Sequence, residues 1–436
     1  DDVESRGLGD VYKRQDITLS AHWGLVWLTA LIAIATGIFS GIYPSYYMTS
    51  FPPALVLKGS FGLSPKGRQL RNVLIGIQFV ASFGLIIGAT FMYLQNYYMQ
   101  NTPLGYDKDE IIITNMNNNI RKSRDAFASQ VKSFSGIEEV TYAEMLLSSQ
   151  DQYMGWGRKY RDKDIQFQCL PVEPSFLKVM NVKISEGRDF REEDKAKRYG
   201  TFVFNERART EYGLEIGSLI DSMEIVGFMP DVKFASFRTE VTPMAFFVWG
   251  TNNWGNQPNY AYIKVKAGSD LRGAMQHVKT TLQSFDPEYP FNVRFFDEVL
   301  NGLYEKERSL SSLITLFSLI AIFISVVGVF GLVVFDSEYR KKEIGIRKVL
   351  GSTTEEIIVM FNKTYIRILC VCFVLGAPIA GYVVHRWLEN FAYKTPMYWW
   401  VYLIAFAIIA VITILTVTFQ NWRAANENPV HSIKNE

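Results

Sequence analysis

The chain of 436 residues is 48% hydrophobic and 20% charged, with a net charge of +2 and three cysteines. So small a charge excess gives no footing for nucleic acid, and three cysteines, two of them inside an apolar run, exclude a disulfide framework. The average hides two materials, uncharged blocks and one long polar block, which is the pattern of membrane spans around a water-facing domain.

Residues 1–15 carry no apolar pattern that leads into a helix. They resemble translated junk sequence and are set apart as an artefactual leader. With no initiator Met and no signal peptide, the chain is expected to be the C-terminal part of something longer. Five runs then read as spanning helices, at residues 23–43, 72–93, 311–335, 368–384 and 398–419. The fourth is short, with Arg367 at its entrance and Pro378 inside, so a buried soluble helix is the alternative there. Gly37 and Gly41, and Gly84 and Gly88, are spaced to let helices approach closely, although Gly-rich membrane helices reach that spacing by chance as often. Pro378 marks a hinge or a static kink. Gln78 is a polar group inside the second run, with no partner legible in the sequence.

Charge sets the orientation. Lys58, Lys66, Arg68 and Arg71 stand in residues 58–71 without an acid, and Arg340, Lys341, Lys342, Arg347 and Lys348 follow the third run. Both clusters are cytoplasmic by the positive-inside rule. The polar block at 100–307 is then extracytoplasmic, as is the short loop 386–397. Tyr97, Tyr98, Trp387, Tyr393, Trp399 and Trp400 fall where interfacial aromatics belong.

A short internal repeat adds to this. A shift that lays Trp23 on Trp399 also lays Tyr43 on Phe419, Tyr46 on Trp422, Pro53 on Pro429 and Lys58 on Lys434. Residues 16–57 therefore read as the last helix of an upstream half, and 58–71 as a cytoplasmic linker. The second half follows, with its first helix at 72–99, the outside domain at 100–307 and three helices at 308–436.

The outside block is large enough for its own core and reads as α+β. Residues 110–114, 136–144, 260–265 and 291–296 are strand-like, and 123–134 and 270–285 are helical, the latter with Leu271, Met275, Val278 and Leu282 inward. These two β-α-β units flank a middle part with strands at 201–204 and 223–228 and a helix at 206–212. Residues 250–259, rich in Asn, Gly and Trp, read as a surface loop.

The segment after the third span, Arg340 to Gly351 (RKKEIGIRKVLG), is amphipathic: Ile344, Ile346, Val349 and Leu350 alternate with Glu343, Arg347 and Lys348. Its apolar side needs a protein partner or the membrane surface. This segment, together with 376–380 (GAPIA), 387–393 (WLENFAY), 424–429 (AANENP) and, in the polar block, 172–177 (VEPSFL), 186–190 (EGRDF) and 225–228 (IVGF), resembles the FtsX-like permease family of ABC transporters, which includes the MacB and lipoprotein-releasing permeases. The resemblance implies an α-helical transmembrane bundle of about five spans carrying a large α+β extracytoplasmic domain of the MacB-like periplasmic core type. It also implies a two-half permease driven by a separate cytoplasmic ABC ATPase dimer, which binds the ATP. Glu343, Ile344, Gly345, Ile346, Arg347, Lys348, Leu350 and Gly351, within a coupling segment at 340–352, would dock that ATPase. A membrane-fusion adaptor or another extracytoplasmic protein is a further expected partner.

The residues offer no chemistry of their own. There is no phosphate-binding GxxxxGK[ST] loop and no nucleophile elbow. His22, His277, His385 and His431 lack ligand spacing, so no metal site is expected. Asp107, Asp109 and Glu110 read as a solvated charge run and not as an acid–base pair. The chain is expected not to be an enzyme and to hold no cofactor. Its function is expected to be ATP-driven export or extraction of a peptide, drug or lipoprotein. The alternatives are an ATP-driven regulatory scaffold for an outside partner such as a cell-wall hydrolase, and a membrane-anchored sensor without an ATPase.

The topology has a direct test. In a background without the three native cysteines, Asn252→Cys should label with an impermeant thiol reagent in intact spheroplasts, and Ser64→Cys should not. Equal labelling of the two positions contradicts the orientation.

Overall fold

A computed structural model describes residues 23–49, 65–147, 154–233, 237–252, 257–302, 304–339, 346–347 and 349–425. The leader 1–15, residues 58–64 of the linker and the segment 426–436 lie outside the described residues. The chain divides into two compact units, Asp1–Leu74 and Ile75–Glu436.

In the first unit, helix α1 (Trp23–Thr49) is 27 residues long and contains the apolar run Val26–Ile38. Helix α2 (Pro65–Asn101) starts inside the expected linker. Proline is favoured at a first helical position because its missing N–H would have no partner there. The helix then runs past the membrane-length run and stops before Pro103, which cannot continue it.

The outside domain of the second unit is built on strands β1 (Ile111–Asn115) and β2 (Ile137–Ala143), joined by helix α3 (Arg124–Lys132). The inserted part follows with β3 (Met154–Tyr160), β4 (Lys163–Pro171), β5 (Glu186–Gly187), β6 (Thr201–Asn205), helix α4 (Glu206–Tyr212), β7 (Leu219–Ile220), β8 (Met223–Met229) and β9 (Met244–Val248). The first architecture then resumes with β10 (Tyr260–Val265), helix α5 (Leu271–Phe285) and β11 (Arg294–Phe295). The two β-α-β units do not stand apart. They interleave into one antiparallel sheet of order β11-β1-β10-β2, the split arrangement of ferredoxin-like folds. The inserted strands form a seven-stranded mixed sheet of order β3-β4-β9-β6-β8-β5, with β7 on β8.

Strand alternation explains the layering. Ile112, Val140 and Ile263 face a core shared with Phe127 and Val131 of α3 and Val278 and Leu282 of α5. Ile111, Ile113 and Tyr262 face the other way, into a core shared with Leu170, Val203, Val226 and Phe246 of the second sheet. A third core, with Phe167, Phe202, Phe204 and Phe247, lies on the far face of that sheet. Two expectations shift. Leu271, in the first turn of α5 beside the N-cap Asp270, is exposed, and the buried stripe is Ala274, Val278, Thr281 and Leu282. The strand expected over 291–296 shortens to β11, and Phe296 instead opens the helix Phe296–Gly302.

Three more long helices complete the unit: α6 (Glu305–Tyr339), α7 (Thr354–Leu388) and α8 (Trp399–Ala425). Among the described residues, four helices are long and apolar enough to cross a membrane, namely α2, α6, α7 and α8. Helix α7 starts 14 residues before the expected span at 368, because Thr353 and Glu356 form a reciprocal capping box and Ile357, Phe361 and Tyr365 carry the buried stripe upstream. Ile75, Phe79, Phe83, Ile87 and Phe91 of α2 supply the matching stripe, with Val329 and Val333 of α6 and Val401, Ala405 and Ile409 of α8. Helix α8 begins at Trp399.

The outside domain has two sheets and three cores of its own. Residues 101–304 expressed alone should be soluble and unfold cooperatively, with a mixed helix–strand circular dichroism spectrum. A disordered spectrum would contradict the domain assignment.

Candidate functional site

The structure describes part of the segment 340–352 that the sequence reading expects to dock an ATPase. Glu343, Ile344, Gly345 and Lys348 lie outside the described residues. Ile346 and Arg347 are helical, and Leu350 N–H donates to Ile346 O at 3.0 Å. Ser352 N–H donates to Arg347 O at 2.9 Å across Gly351, whose φ is +96°. That pattern is a helix stop in which the residue after the last turn is left-handed, which favours glycine. Thr353 then caps α7 at once. The turn is therefore locked at one end to a membrane helix. It presents Ile346, Val349 and Leu350 at 56, 70 and 79% exposure. Val349 is a member of this apolar face that the sequence reading did not single out for docking.

Among the described residues of the second unit, Gly84 and Gly88 make no close helix contact. A Cβ on Gly37, Gly84 or Gly88 would find nothing within 4 Å. Gly41 lies in α1, and its surroundings are outside the described residues. Close approach falls instead at Gly376, where an added Cβ would lie 3.4 Å from Val80 Cα, and at Gly328, where it would lie 2.6 Å from Gln78 Oε1. That Gln78 oxygen is buried and has no hydrogen bond among the described residues. Helix α7 continues through Pro378 with Ala377 and Ala380 buried beside it. Arg367 is on the exposed face of α7. Of the acidic run, Asp107 pairs with Lys264 at 2.9 Å.

The second part of the site is a clasp at the outer end of the bundle. Gln95 of α2 is fully buried. Its Nε2 donates to Tyr393 O at 3.1 Å, and its Oε1 accepts from Thr395 N–H at 2.8 Å. One side-chain amide thus pairs with the loop between α7 and α8 as a neighbouring strand would. The same loop grips the outside domain: Tyr393 N–H donates to Phe237 O at 3.1 Å, and Val241 N–H donates to Tyr393 Oη at 3.3 Å. Phe237, 2% exposed, is ringed edge-to-face by Tyr98 of α2, Tyr304 and Tyr393, each at about 6 Å. Phe237 N–H donates to Tyr304 Oη at 3.1 Å. Beside it Arg238 Nε donates to the buried Glu307 of α6 at 2.9 Å and lies over the Phe391 ring.

Lys233 completes the clasp. Its ammonium lies 4.9 Å from the Phe237 ring centre and 4.6 Å from that of Tyr393. Burial pulls its pKa below the ordinary lysine value. None of these clasp residues was singled out as a site, since their members come from positions 95, 237, 304 and 393. Only the aromatic character of Tyr98 and Tyr393 was a signal. Among the described residues no group of three or more His, Cys, Asp or Glu side chains could hold a metal ion.

Comparison with known proteins agrees with this architecture. Residues 315–429 match the FtsX-like permease C-terminal model, and residues 73–281 match the MacB-like periplasmic core domain model. The macrolide export ATP-binding/permease protein MacB of Chromobacterium violaceum is 23% identical over 230 residues, covering 50% of this chain and 35% of that protein. MacB of Escherichia coli K12 is 23% identical over 233 residues, with the same coverages. The chain spans about a third of the length of these curated relatives. The crystal structure of the periplasmic region of MacB from Actinobacillus actinomycetemcomitans covers 48% of this chain and 98% of its own, at 13% identity and a TM-score of 0.34. The extracellular domain of the transporter YknZ from Gram-positive bacteria covers 42% and 99%, at 11% identity and a TM-score of 0.30.

The clasp can be tested by stability. Gln95→Leu strands one buried N–H and one carbonyl, at about 1–3 kcal/mol for each unpaired group. The melting temperature in detergent should fall clearly, and Gln95→Glu, which keeps the acceptor for Thr395, should fall between the two. A wild-type melting temperature for Gln95→Leu contradicts the clasp.

Proposed function

Because the chain belongs to the family of FtsX-like, MacB-type ABC transporter permeases, we propose that it turns ATP hydrolysis by a separate cytoplasmic ATPase dimer into movement of its outside domain. It is a multi-pass protein of the cell membrane with that domain extracytoplasmic. The movement serves export or extraction of a substrate from the antimicrobial-peptide, drug or lipoprotein classes. The chain itself contributes no catalytic chemistry in this reading, and ATP is held by the partner. A membrane-fusion adaptor is the natural outside partner for export.

The observation that carries the reading is the coupling turn. Three neighbouring aliphatic side chains, Ile346, Val349 and Leu350, stand largely exposed on a turn locked to α7 by Gly351 and the Thr353 cap. The basic cluster places this turn on the cytoplasmic side. An apolar turn of this kind fits a groove on a soluble partner, and burying two or three such side chains supplies roughly 1.5–3 kcal/mol each. Arg347, between them, is suited to pair with an acidic group on the ATPase. A push on the turn enters α7 directly. At the other end of α7 the clasp ties the loop to both α2 and the outside domain. The bundle therefore offers a continuous path from the cytoplasmic face to the domain.

Ile346→Asp places a carboxylate in that interface without touching the membrane core. It should abolish co-purification of the cognate ATPase and with it activity, while membrane insertion is unchanged. Equal recovery of the ATPase with wild type and Ile346→Asp would overturn the docking role and return the turn to the lipid surface.

A further inference from the structure

The inserted sheet carries an open trough beside its outer strand. Strand β3 is the outer strand of the seven-stranded sheet. Gly155 and Gly157 lie on one face of it, in register with Gln168 and Gln166 of β4. Glycine is a poor strand residue, and two of them alternating on one face leave room for another backbone to approach. The room is real: an added Cβ at either position meets nothing within 4 Å. A cavity of about 530 Å³ lies there, lined by Gly155, Gly157, Gln166, Gln168, Thr242 and Pro243 among others, a size within the usual range for ligand sites. The side-chain amides of Gln166 and Gln168 have both donors and acceptors to offer along its floor.

Gln168 and Thr242 also line a second, smaller recess, whose wall includes Lys233 and Tyr393. Lys233 is the uncompensated charge of this region. Its ammonium sits on two aromatic rings, and among the described residues it has no ion pair within 4 Å. Glu240 lines the same recess but is exposed. A carboxylate arriving along the trough would meet a cation that burial has left short of a partner.

We propose that this trough binds an extended, acidic segment of an extracytoplasmic partner protein, its backbone laid over Gly155 and Gly157, its amides paired by Gln166 and Gln168, and its carboxylate on Lys233. The row of glycines and glutamines runs along the strand direction, which suits an extended chain and not a compact ligand. The lone cation at the inner end selects for acid. Occupancy would place a partner against the Tyr393 clasp, so the same contact reports on the coupling machinery. The inference does not depend on ATP coupling, and it is tested without ATPase or nucleotide.

The experiment uses the full chain in lipid nanodiscs and a fluorescein-labelled hexapeptide of alternating threonine and valine that ends in aspartate. The control is the same peptide ending in asparagine amide. Fluorescence anisotropy should show the acidic peptide binding at least about tenfold more tightly than the control, a difference of about 1.4 kcal/mol. Gly157→Val, and independently Gly155→Val, should weaken the acidic peptide by a similar factor at an unchanged melting temperature, because either side chain fills only the trough. Lys233→Met should erase the difference between the two peptides and leave the neutral one unaffected. Absence of peptide binding, equal affinity for the two peptides, or wild-type affinity in both glycine variants overturns the proposal. So does a change in self-association of the glycine variants without a change in peptide affinity, which assigns the trough to a second copy of the chain.

Discussion

A buried amide cannot be left unpaired, and Gln95 answers that constraint by joining three parts of the molecule. Its two hydrogen bonds hold the backbone of residues 393–395 to the end of α2, and that backbone in turn holds residues 237–241 of the outside domain. Helices α2 and α6 already connect the bundle to the domain covalently. Two covalent links still permit rocking about the line that joins them. A third, non-collinear contact removes that freedom, and the clasp supplies it. The aromatic ring of Tyr98, Tyr304 and Tyr393 around Phe237 adds the packing that gives the hydrogen bonds a dry environment.

The domain beyond the clasp is built to carry such a constraint. One core joins the two sheets through Ile111, Ile113 and Tyr262 on one side and Leu170, Val203 and Phe246 on the other. Tyr262 is fully buried, and its hydroxyl accepts from Leu147 N–H at 2.7 Å. A close-packed interior transmits displacement with little loss. The same holds in the bundle, where Phe83, Phe373 and Phe406 from three helices pack as one aromatic knot. What the chain exposes is equally telling. The outer faces of the spanning helices are apolar, as lipid requires, whereas Ile346, Val349 and Leu350 are apolar on a turn outside any spanning helix.

Much of this was legible in the sequence, for physical reasons that differ by element. The spanning helices follow from charge-free length, and the orientation from lysine and arginine counts. Strands such as β1 and β10 announce themselves because both faces are largely buried and most of their residues are β-branched or aromatic. The hairpin β3–β4 did not, because Gly155 and Gly157 lower strand propensity and Gln166 and Gln168 interrupt the apolar pattern; those are the residues that open the trough. The merging of the two β-α-β units into one sheet was hidden as well, since pairing between β1 and β10 spans well over a hundred residues and leaves no local mark. The start of α7 was available in the Thr353–Glu356 capping signature, which an apolar-run criterion overlooks. The amphipathic character of residues 340–351 was legible because their charges and aliphatics are contiguous. The clasp was not, because a bond between Gln95 and Tyr393 has no expression in either local sequence.

A distance measurement decides whether the clasp transmits the proposed ATPase stroke. Spin labels at Lys279, exposed on α5 of the outside domain, and at Glu355, exposed at the cytoplasmic start of α7, can be read by pulsed electron resonance in the complex with the ATPase, with and without trapped ATP. With the clasp intact, the account predicts an ATP-dependent change in the distance distribution, and a Gln95→Leu, Tyr393→Ala double variant should lose that change while still holding the ATPase. An ATP-dependent change of the same size in the double variant would contradict it.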